Sequence, residues 1–132
     1  MIKILVPVLI LWMQFFTVVP FQNDVVENLS TNFKAGNSKE IAKNFSSSIE
    51  LSIINEEDTY SKAQAEQILR DFFTKHTPTN STVVHLIDTN PNYRFCILSL
   101  VSKSGKFRVS ITLKKSNNAL FVTELRIEPD KS

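Results

Sequence analysis

Only one cysteine, Cys96, stands among the 132 residues, so no intrachain disulfide braces this chain. It lies inside an apolar run, where a thiol behaves as a small buried hydrophobe; a reactive cysteine would need an exposed, electropositive setting. Glycine occurs twice, at Gly36 and Gly105, which excludes the glycine-rich phosphate loops of nucleotide enzymes. Neither sign of charge is in real excess: 15 Lys and Arg face 13 Asp and Glu, for a net charge of +2. That balance argues against nucleic acid or an acidic membrane surface as a partner. Internal repeats and low-complexity segments are missing too. No Ser-His-Asp grouping and no metal-ligand cluster is visible, and neither a cofactor nor a metal is expected.

What is present is organised around one stretch, SKAQAEQILRDFFTKH, Ser61 to His76. Ser61 is a good helix cap, and Gln64 three residues later completes a possible capping box. Ala65, Ile68, Leu69, Phe72, Phe73 and His76 recur at three- and four-residue spacing, one apolar stripe of an amphipathic helix. Lys62, Glu66, Arg70 and Asp71 fall mostly on the other side. Pro78 ends the pattern by disfavouring helical geometry at Thr77.

At the start, Lys3 precedes an apolar run from Ile4 that reaches Val19. A positive start and an apolar stretch of about 10–15 residues describe a secretory signal. No A-x-A-like pair of small residues precedes Gln22, so an uncleaved N-terminal membrane anchor is the alternative. Residues 1–21 are therefore expected to be a signal peptide or anchor, cut near Pro20–Gln22 in the favoured case. Residues 22–132 form one domain, exported to the periplasm or cell envelope, and any membrane contact is expected through this segment alone.

Along the domain, Asn23 or Asp24 caps a helix whose buried stripe is Val25, Val26, Leu29 and Phe33, and Gly36 ends it. Asn37 starts a second, short helix, Ser38 to Asn44, with Glu40 in the capping-box position. Ile49, Leu51 and Ile53 mark a half-buried strand. Glu56–Asp58 reads as an acidic turn and Thr59–Tyr60 as a short return strand. After the central helix come strand runs Thr82–Asp88, Arg94–Val101, Lys106–Lys114 and Leu120–Glu128. Ser104–Gly105 reads as a two-residue hairpin turn. That register puts Cys96, Leu98 and Leu100 on the core face with Phe107, Val109 and Ile111. Lys115–Asn118 makes the next turn, and Phe121, Leu125 and Ile127 continue the core face. Phe95, Ile97, Val101, Leu120 and Val122 are left for the other face, more apolar than a wet face needs.

The segments KAGNSKEIAKNFSSSIELSI, YSKAQAEQILRDFFTKH, GKFRVSITLKK and LRIE resemble a family of small exported bacterial proteins of unknown function, over nearly all of Val25–Glu128. The element order resembles the nuclear transport factor 2-like superfamily. The resemblance implies an α+β fold, a curved antiparallel sheet wrapped on N-terminal helices and one long helix, a cystatin-like cone with a pocket. Its members include dehydratases, isomerases, polyketide cyclases and many non-catalytic binding or dimerisation domains, so the fold alone does not transfer a function.

Catalysis on such a fold would need a carboxylate or histidine inside an apolar pocket and a donor for an oxyanion. The candidates are His85, Asp88 and Tyr93, with Tyr60 and His76 behind them. Each also has an ordinary structural reading: His85 as a half-buried strand residue beside Val83 and Ile87, Asp88 as a turn former, and His76 as a cation at a helix C-terminus. The tyrosines read as rim or core aromatics. Two function classes follow. The first is a non-enzymatic binding module that takes a small apolar ligand or an envelope protein. The second is a cofactor-free lyase or isomerase of the dehydratase or ketosteroid-isomerase type, with His85 or Asp88 as base. A homodimer is expected through Phe95, Ile97, Val101, Leu120 and Val122.

Overall fold

The computed structural model describes residues 24–131; the expectations for residues 1–21 lie outside the described residues. Helix α1 spans Val25–Ala35, capped by Asp24, whose Oδ1 accepts from the Val26 N–H at 3.2 Å. Gly36 ends it at φ 65°, and a side chain there would also press on Pro78, 3.3 Å from its Cδ. Asn37 then caps α2, Ser38–Ala42, by accepting from the Glu40 N–H. Helix α3, Lys62–Lys75, begins with the full capping box: Ser61 Oγ accepts from the Gln64 N–H, and Gln64 Oε1 accepts from the Ser61 N–H. Ala65, Leu69, Phe72 and Phe73 are its buried stripe, as the spacing predicts.

Six strands form one sheet: β1 Phe45–Ile53, β2 Glu56–Ser61, β3 Pro78–Asn90, β4 Tyr93–Ser102, β5 Gly105–Ser116 and β6 Ala119–Pro129. Their order is β2-β1-β6-β5-β4-β3, which leaves β2 and β3 as the edges. The sheet is not wholly antiparallel, because β1 and β6 run parallel. The cause is α3. It carries the chain back across the sheet between β2 and β3, so the three hairpins that follow return β6 in the direction of β1. Helix α1 packs on β3 and β4, and α3 on β1 and β2, so all three helices cover one face and the other is the outer face.

The hairpin register differs in detail from the sequence reading. Ser102 pairs with Gly105, so the β4–β5 turn is Lys103–Ser104 and not Ser104–Gly105. The two registers differ by two residues along the partner strand, which preserves the faces. Cys96, Leu98, Leu100, Phe107, Val109 and Ile111 are all buried. On β6 the assignment changes. Thr112 pairs with Glu124 but Leu113 with Val122, so Thr123 is an extra, bulged residue. The bulge turns Val122 and Leu120 toward the core, where Val122 is fully buried, and leaves Phe121 on the outer face. Leu120 and Val122 therefore do not belong to the proposed pairing face. Glu56–Asp58 is likewise not a turn: it is the first half of β2, and the turn is Ile54–Asn55.

Helices α2 and α3 are clamped by Glu66, which accepts from Ser38 Oγ at 2.7 Å and pairs with Arg70 at 2.6 Å. The Ser38 hydrogen bond, and then the neighbouring Arg70, hold its carboxyl below the ordinary value of 4.5. A depressed carboxyl stabilises the fold above its unfolded pKa and loses that contribution as pH falls through the folded one. Denaturant titrations between about pH 5 and about pH 3 should therefore show wild type losing more stability than Glu66→Gln. Parallel losses would remove the clamp.

Candidate functional site

An apolar-floored concavity lies where α3 passes over the β1–β2 turn. It is a groove of about 450 Å³ with Ile53, Ile68 and Phe72 as its floor and Ile54 at its rim. That volume falls in the range of small-ligand sites. Glu56, Asp71, Lys75 and His76 ring the opening. His76 is fixed from three sides: its ring lies 4.9 Å from Phe72 and 5.0 Å from Phe107, and Nδ1 is 2.6 Å from Ser104 Oγ. This histidine is thus part of the joint between α3 and the β4–β5 turn.

Ile54 is the unusual residue. Its φ is 57°, a left-handed conformation that a β-branched side chain adopts at a cost of about 1–2 kcal/mol. The conformation is held by its N–H, which donates to Ile127 O at 2.8 Å and extends the β1–β6 ladder. The residue remains 38% exposed. Ile54 is thus a strained, partly exposed apolar residue at the mouth of the groove. No sequence signal marks Ile54, because Ile-Asn is not a recognised turn pair and the acids that follow it are the more turn-like residues.

The three residues singled out as catalytic candidates are not brought together. A bulge at Val84 separates the faces: Val83 pairs with Leu98 on the core side, whereas His85 pairs with Ile97 on the outer face. His85 therefore shares its face with Ile87 and not with Val83, and it lines an outer hollow with Ile97 and Arg108. Asp88 lines a different hollow, at the start of α1, beside Asp24 and Arg94. Those two are already paired, at 2.7 Å. Tyr93 is half-buried between Asn90 and Lys114 and lines neither hollow. Tyr60 pairs with Ile49 and packs on the core. Among the described residues no group of three or more His, Cys, Asp or Glu could hold a metal, and no helix is long and apolar enough to cross a membrane.

Phe95, Ile97 and Val101 do lie on the outer face, half-buried, with Ser110, Thr112, Glu124 and Arg126 beside Phe95. Arg126 leans toward Glu57 and Glu128, at 3.7 and 3.5 Å. The centre of this face is thus a mixed surface of aromatics, hydroxyls and paired charges.

Residues 26–128 match the sequence profile of a family described as Domain of unknown function (DUF4783). The chain belongs to this family. A solved member from Bacteroides uniformis is 28% identical over 83% of this chain and 100% of its own, with a TM-score of 0.78. Another, from Bacteroides ovatus, is 28% identical over 79% of this chain and 94% of its own, with a TM-score of 0.74. A domain of unknown function with a cystatin-like fold from Nostoc punctiforme shares the architecture at 8% identity and a TM-score of 0.65, over 81% of this chain and 74% of its own. No curated protein matches the chain. The resemblance to a family of unknown function with a cystatin-like, nuclear transport factor 2-like α+β fold is thus correct, and it carries no chemistry with it.

Cys96 has the inert setting expected of it. It is fully buried, and burial, followed by the negative Asp24, pushes its thiol up to about 12. Thiolate is therefore scarce at neutral pH, and the sulfur is also shielded. A disulfide-exchange reagent at neutral pH should leave the native protein unmodified and label one thiol after denaturation. Rapid labelling of the folded protein would contradict this placement.

Proposed function

We propose that the domain is a non-enzymatic binding module that takes a small apolar ligand in the groove between α3 and the β1–β2 turn. The observation that carries this reading is Ile54, an apolar side chain held in a left-handed backbone at the rim of an apolar-floored groove. The catalytic alternative, with His85 or Asp88 as base and a tyrosine as donor, lacks comparable support, since neither hollow onto which they open is lined by a tyrosine. Export to the cell envelope belongs to the same proposal and rests on the apolar run that follows Lys3.

A polarity-sensitive naphthalene dye is a suitable first probe. Ile54→Asn should stabilise the fold by about 1 kcal/mol, because asparagine tolerates the left-handed region. For a domain of this size that is a rise in Tm of roughly 4–8 °C. The same substitution should weaken dye binding several-fold, since it removes the apolar rim. Gain of stability with loss of binding is the signature of strain kept for function. If dye affinity is unchanged in the stabilised variant, the groove is not the site; turnover abolished by His85→Ala would overturn the non-enzymatic reading.

A further inference from the structure

The two edges of the sheet are guarded differently. An edge strand presents unpaired N–H and C=O groups to any strand that approaches, and natural sheets blunt such edges with charge. β2 carries Glu56, Glu57 and Asp58 in succession, all exposed. β3 is longer and has a single acid, Asp88, with no lysine or arginine. Instead it leaves Val84, Leu86 and Ile87 56%, 37% and 42% exposed. Scattered exposed hydrophobics need no explanation, but a cluster on one free edge does. On β4, Ile87 neighbours Phe95 and His85 neighbours Ile97 on the outer face, whereas Leu86 neighbours the core-facing Cys96.

We propose that this edge is where a second copy of the chain adds its own β3, antiparallel, joining two sheets into one. A two-fold axis perpendicular to a sheet can pair only residues on the same face. In β3, His85 and Ile87 share the outer face and Leu86 lies between them. An axis at Leu86 therefore sets Leu86 against the partner's Leu86, and His85 against the partner's Ile87. Asp88 falls opposite the partner's Val84, so the two carboxylates do not meet. The row is complementary to itself: its one charge, Asp88, meets an apolar residue and not its own copy. Register shifts on either side of His85–Ile87 keep the new ladder short. A short ladder with an apolar centre gives a reversible dimer, with a dissociation constant on the order of micromolar.

Sedimentation of the full chain, in detergent if the N-terminal apolar run is retained, tests the proposal. Wild type should be dimeric at high micromolar concentration, and Leu86→Lys should weaken the dimer at least about tenfold by placing a charge opposite its own copy. Ile97→Lys separates this mode from pairing through the centre of the outer face. Should Leu86→Lys fail to fold, Leu86→Cys gives an independent reading. Directly opposed antiparallel residues have Cα atoms about 4.5–5.5 Å apart, within disulfide reach. Mild oxidation should then yield a covalent dimer, whereas Ile54→Cys stays monomeric under the same conditions. A monomeric wild type, a dimer that Ile97→Lys dissociates and Leu86→Lys does not, or a Leu86→Cys protein that never cross-links overturns the proposal.

Discussion

A chain of aromatic rings ties the helical layer to the sheet. Phe33 of α1 meets Phe73 of α3 edge-on at 5.7 Å, Phe73 meets Phe72 at 5.7 Å, and Phe72 meets Phe107 of β5 at 5.1 Å. Edge-to-face pairs of this kind add about 0.5–1.5 kcal/mol each beyond burial of their area. Because Phe72 and Phe73 are adjacent on α3, they point to either side of one stripe and reach both neighbours at once. Nearly everything else follows from where they hold the helix. With α3 fixed, Pro78 starts β3 beside Gly36, His76 reaches Ser104, and Ile68 and Phe72 become the floor of the groove.

How far the fold could be read in advance depended on whether its signals were local. Caps were legible because each is a few residues long: Asp24, Asn37 and Ser61 all do what their position suggests. The faces of β4 and β5 were legible because alternation survives a register error of two residues. Those of β3 and β6 were not, because single bulged residues, Val84 and Thr123, reverse the alternation part-way along. Neither bulge is marked by glycine, the usual sign in sequence. The parallel β1–β6 pair has no local signature at all, since it joins strands some seventy residues apart.

The candidate site was less legible than the fold, for a related reason. Sequence reading searches for chemically active side chains, and His85, Asp88 and Tyr93 are of the right types. Their geometry is set by the bulges, however, which send His85 outward and leave Asp88 at the far end of the strand. Ile54 is chemically ordinary. Only its backbone conformation makes it conspicuous, and φ is not written in the residue type.

The placement of the groove follows from the way the core is filled. In a cone-shaped fold, an interior pocket needs side chains that stop short of the axis. Here Phe33, Phe45, Leu69, Leu98, Leu100 and Ile111 are fully buried among one another, and among the described residues no buried side-chain polar atom lacks a partner. Such an interior leaves no unmet side-chain hydrogen bond among the described residues for a ligand to satisfy. Exposed apolar surface lies instead at the ends and edges of the sheet. Two of these places keep apolar surface exposed: the β1–β2 turn at Ile54 and the free edge of β3. The other edge, β2, starts from the same turn but carries three exposed carboxylates in succession. The groove and the β3 edge therefore lie at opposite ends of the strand order.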